Sequence, residues 1–79
     1  MKSVPDIIPI LDINLAAFLV LNGIHPKLTK QGSRVIFEFP GTSETYKIME
    51  QYNRNPAVPV LDFVSALRRT RSQMLSLRG

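Results

Sequence analysis

Between Asp12 and Gly23 apolar residues crowd every side of one short helical stretch. Leu15, Phe18, Leu19 and Asn22 follow the i, i+3, i+4, i+7 spacing of a single helix face, and Ala16, Ala17, Val20 and Leu21 make the opposite side nearly as apolar. Asp12 offers a carboxylate to the free amides of a first turn, and Gly23 supplies a permissive residue just past a last one. The pattern predicts a helix over about 13–22. A helix apolar all round is buried on more than one face. It needs cover from the segment before it, from later helices or from a partner.

The period then changes from that of a helix to that of a strand. Val35, Phe37 and Phe39 alternate with Arg34, Ile36 and Glu38, after a turn signal at Gln31, Gly32 and Ser33 and an extended stretch from Pro26 to Lys30. This predicts a β-hairpin over about 26–39, with Val35, Phe37 and Phe39 packed on the first helix and Ile36 leaving some apolar surface on the other face. Pro40 and Gly41 end the strand. Thr42 or Ser43 can cap a second helix, with Glu44 at the positive end of its dipole and Thr45, Ile48, Met49 and Tyr52 at helical spacing to about Asn53. Asn53 to Pro56 is a break, and Pro59 suits the first turn of a third helix. On that helix Val60, Phe63, Val64, Leu67 and Met74 gather on one side, Arg68 and Arg69 point away, and Arg71 falls beside the stripe.

Ahead of these elements, residues 1–11 carry Pro5 and Pro9 and read as an extended arm. Ile7, Ile8, Ile10 and Leu11 are too apolar for a free tail, so part of the arm should lie against the domain or a second subunit. The expected architecture is a single α+β domain over residues 12–79, in the order α-β-β-α-α, with the hairpin packed against the helices.

Composition narrows the function. Seventy-nine residues, 44% of them hydrophobic, suffice for one folded domain but leave little volume for an enclosed substrate pocket, so a non-enzymatic binder is expected. The longest uninterrupted apolar run, Leu15 to Leu21, is far short of the roughly 20 residues of a bilayer crossing, which argues against a membrane role. The absence of cysteine removes disulfides and sulfur metal sites and suits a reducing, cytoplasmic setting. His25, the single histidine, follows a helix C-terminus and reads as structural, and it rules out a two-histidine metal pair. No glycine-rich phosphate cradle is present. Glu44 and Glu50, six residues apart on one helix, do not converge for paired-carboxylate chemistry. Tyr46 and Tyr52 share the same separation and form no stacking surface; Tyr52 belongs to the core stripe. No catalytic residue, cofactor, metal ion or small-molecule substrate follows from these residues.

Charge is what remains. The net charge is +4, and beyond Asp62 the chain holds Arg68, Arg69, Arg71 and Arg78 with no acid. These four, extended by Lys27, Lys30 and Arg34 on the hairpin, are the candidate binding residues for a nucleic-acid backbone, contacted with little sequence preference. An acidic protein surface would suit the same cations, and a solvated helix face is the plain alternative. A different reading is a protein-interaction or homodimerising module that uses the apolar arm and the first helix.

The ordered elements resemble a family of small bacterial domains of unknown function. The resemblance lies in a D-x-x-L-A-A-F-L-x-x-x-G helix, Asp12 to Gly23, a V-x-F-x-F strand, Val35 to Phe39, a helix ending at Tyr52 before an Asn-containing break, and a final F-x-x-A-L-R, Phe63 to Arg68. It covers about residues 11–77 and implies the fold and the domain extent. It implies no activity.

Overall fold

The computed structural model describes residues 6–78. Its elements are β1 (Ile7–Ile10), α1 (Ile13–Leu21), β2 (Lys27–Gln31), β3 (Arg34–Pro40), α2 (Ser43–Asn53) and α3 (Val60–Arg78). The α-β-β-α-α order is present, and β1 adds a strand in front of it. The first five residues of the expected arm, Pro5 among them, and Gly79 lie outside the described residues.

The three strands form one antiparallel sheet in the order β1-β3-β2. Ile8 faces Phe39, Ile10 faces Phe37, and Leu28 faces Phe37 from the other side, so these share one face with Val35. Phe37 and Phe39 are fully buried on that face, while Ile36 and Glu38 on the reverse are half-buried. The arm therefore continues the chain's own sheet.

Two prolines are placed where a missing amide costs nothing. The Gly41 amide donates to the Asp6 carbonyl, which makes 6–41, 8–39 and 10–37 the hydrogen-bonding pairs. The nitrogen of Pro9 then faces the free edge of β1, and that of Pro40 faces β2 beyond the start of its pairing at Lys27. Gly41 is required by this approach, because a Cβ there would strike the Asp6 carbonyl. Gly32, with φ of 64°, sits at the first central position of the two-residue connection between Gln31 and Arg34, matching a type II′ turn.

Each helix boundary has a local cause. Asp12 accepts from the amides of Asn14 and Leu15, and Gly23, with φ of 88°, ends α1 in a Schellman motif: its amide donates to Val20 and that of Ile24 to Leu19. Ile24 is buried by that closure, while His25 is exposed. Thr42 caps α2 by accepting from the Thr45 amide, and Asn55, with φ of 53°, takes the left-handed position just past its end. That is the physical basis of the break after Tyr52. The Phe63 amide donates to the Pro59 carbonyl, so Pro59 stands immediately before the first turn of α3.

The all-round apolar character of α1 is absorbed within the chain. Ala16, Ala17, Phe18 and Leu19 are buried, and the helix meets α3, α2 and β1. α3 also reaches β2 and β3, placing the helices on the face that carries Phe37. The Tyr52 ring packs against Phe18 at 5.4 Å between centroids. The core stripe of α3 differs from expectation at one end. Val60 is 70% exposed, and the most buried positions are Ala66 and Thr70, flanked by Phe63, Leu67 and Met74. The first turn of α3 presents Phe63 to the core and leaves Val60 and Leu61 uncovered.

Candidate functional site

The seven candidate cations fall into separate places. Lys27 and Arg34 have the parity of the sheet face turned away from the helices, by the alternation that puts Leu28 and Val35 on the core face, but Arg34 is the first residue of β3 and borders a groove at the end of the sheet. Lys27 stands at the far end of β2 from the turn, opposite Glu38. A carboxylate beside it weakens its part in any cationic patch. Lys30 lies on the helix side, where its Nζ donates to the Arg78 carbonyl at 3.3 Å. It thereby serves the negative end of α3, a structural role beside the binding role that its charge suggests.

The four arginines of α3 are exposed, and among the described residues none of them makes an ion pair. They do not share one face. At about 100° per residue, Arg69 falls on the flank toward α1, where it lines a shallow depression with Asp62, Ser65, Ala66, Val20 and Leu21. Arg68, Arg71 and Arg78 fall on the other flank. There Arg78 meets Arg34 in a groove of about 440 Å³, lined also by Leu11, Ser33, Val35 and Met74. The structure therefore brings Arg34 and Arg78 together, with Arg71 two turns back on the same flank, Arg68 further outward, and Arg69 and Lys27 apart.

The same flank carries what the charge count missed. Leu61 is 79% exposed and Leu75 52%, and at helical spacing both align with Val64, Arg68, Arg71 and Arg78. These six positions lie within an arc of about 100°. The opposite outward arc holds Ser65, Ser72 and Ser76 with Asp62 and Arg69. The outer surface of α3 is thus divided into an apolar and basic flank and a small polar one. Sequence periodicity contained this signal as the i, i+3, i+7 recurrence from Leu61 onward, hidden behind the stronger core stripe.

Other concave features are less charged. A depression of about 440 Å³ between α1, α2 and the 54–59 loop is lined by Phe18, Tyr52, Phe63, Val58 and Pro56, with Asn53 and Asn55 at its side. Glu50 pairs with Arg54 at 3.6 Å one turn on, an exposed pair worth little. Among the described residues, no group of three or more His, Asp or Glu side chains comes together, and no helix is long and apolar enough to cross a membrane.

Comparison with known proteins places the chain at the level of family. The profile of a domain of unknown function, DUF5659, matches residues 6–76. The chain belongs to this family. The match takes in β1 at its start and nearly all of α3 at its end, so both the added strand and the basic helix fall within the family domain. No curated protein and no solved structure matches the chain.

Proposed function

We propose that the protein is a non-enzymatic, cytoplasmic binding module that docks an acidic protein surface on the apolar and basic flank of α3. The observation that carries this reading is the interleaving of exposed leucines with unpaired arginines on one arc. Covering a leucine side chain is worth about 1.5–3 kcal/mol, and an arginine adds most where a carboxylate meets it in bidentate geometry. An acidic surface with some apolar residues gains both terms. A phosphate backbone gains only the second and leaves Leu61 and Leu75 uncovered.

Nucleic-acid association is the second reading, favoured by the meeting of Arg34 and Arg78 in one groove with Arg71 two turns back. Contacts there would reach phosphates rather than base edges. Fluorescence anisotropy at low salt separates the two, using a labelled Glu/Leu copolymer peptide, a DNA duplex and a single-stranded RNA as probes. The docking reading expects the peptide to bind, and Leu61→Ser and Arg68→Ala each to weaken it. Binding of duplex or RNA that ignores Leu61→Ser and falls steeply with salt would put nucleic acid in its place. Binding of none of the three would refute both.

A further inference from the structure

We infer that the partner element seated on this flank is an acidic amphipathic α-helix lying in heptad register with α3, an inference that rests on the docking function proposed above. Leu61, Val64, Arg68, Arg71, Leu75 and Arg78 follow one another at strictly alternating steps of three and four residues. That is the 3.5-residue recurrence of a coiled-coil seam, here spanning about 26 Å along the outside of a folded domain.

The spacing selects the shape of the partner. Seam positions of an α-helix recur about every 5 Å along its axis, so a second helix meets each of the six in turn. Same-side residues of an extended strand recur about every 6.6 Å and fall out of step within a few residues. The groove beside the C-terminal half of α3, with exposed Leu11 on its far wall, borders the seam on the side of the sheet.

The charge selects the chemistry. The seam carries three arginines and no carboxylate. A second copy of this chain is a poor occupant, because parallel pairing sets Arg68 against Arg68 and antiparallel pairing about the seam's centre sets Arg68 against Arg71. A helix with leucines facing Leu61, Val64 and Leu75 and glutamates facing the arginines satisfies every position.

Two peptides of identical composition test this. One places Leu and Glu at the first and fourth positions of successive heptads, and the other permutes the same residues so that they spread around the helix. Binding to the full chain is read by anisotropy, and peptide helicity by circular dichroism. The heptad peptide is expected to bind at least about tenfold more tightly and to gain helix on binding. Leu75→Glu should weaken it by about tenfold or more, whereas Ser76→Glu, exposed and about 100° further round the helix, should have a much smaller effect. Equal binding of both peptides without gain of helix overturns the helical register and leaves the docking reading standing. Binding of neither overturns both. A mass in solution that doubles with concentration and reverts in Leu75→Glu would assign the seam to a second copy instead.

Discussion

Phe37→Ala removes the side chain on which the two halves of the sheet and the helical layer converge. Phe37 is fully buried, lies on the central strand, and is flanked by Ile10 on one side and Leu28 on the other, with Leu19 and Phe18 in the same cluster. Both neighbouring strands are held by the backbone ladder, so the layer cannot close over the space left by a ring. A Phe→Ala truncation at such a site costs about 3–5 kcal/mol. For 79 residues the whole stability is roughly 4–12 kcal/mol, so the variant should be marginal or unfolded. At about 4–8 °C per kcal/mol, the midpoint should fall by at least about 12 °C. Thermal unfolding followed by circular dichroism measures this, with Ile36→Ala on the reverse face as the control. That control should cost about 1 kcal/mol or less. A Phe37→Ala midpoint as high as that of Ile36→Ala would mean that the two sheet faces are exchanged.

Four further substitutions probe separate parts of the fold. Gly41→Ala should destabilise by about 1–3 kcal/mol in urea unfolding, because its Cβ would press on the Asp6 carbonyl and part β1 from β3; an unchanged midpoint would contradict that approach. Thr70→Val should raise the melting midpoint, by about 1 kcal/mol of stability, since the Thr70 Oγ1 is buried without a hydrogen-bond partner and valine keeps the shape; Thr45→Val, which removes the hydroxyl beside that of Thr42, should lower it. Lys30→Met should cost about 0.3–1 kcal/mol at low ionic strength and less in high salt, by loss of the cation at the α3 carbonyl terminus, and a salt-independent difference would refute the electrostatic origin.

The elements that follow from local chemistry were legible in the amino-acid sequence. Asp12 and Gly23 bracket α1, Gly32 marks the hairpin, and the alternation through Val35, Phe37 and Phe39 identifies the buried strand face, all by rules that act within a few residues. The strand β1 was not legible as a strand, because four residues interrupted by Pro9 carry no alternation of their own and gain their conformation from pairing with β3, some thirty positions away. The division of the cations was hidden for the same reason. Lys27 and Lys30 sit three apart on one strand, so alternation alone sets them on opposite faces, but only the assembled sheet shows which of them meets the helices and that Lys30 reaches the end of α3. On α3 the arginines were visible as charge, but their company with Leu61 and Leu75 depends on which apolar positions the core leaves uncovered. That quantity is set by how α3 is rotated about its axis against the elements it packs on.

If one flank of α3 is the docking surface, a backbone-amide NMR titration of the unmodified chain with the heptad peptide should map onto it. Shifts should concentrate on α3 from Leu61 to Arg78 and on Leu11 and Arg34 beside it, with little change on Lys27 and Thr29 or on Tyr46 and Lys47 of α2. Shifts gathered instead around Tyr52, Asn55 and Phe63, or on the open sheet face, would place the binding surface elsewhere and contradict the account.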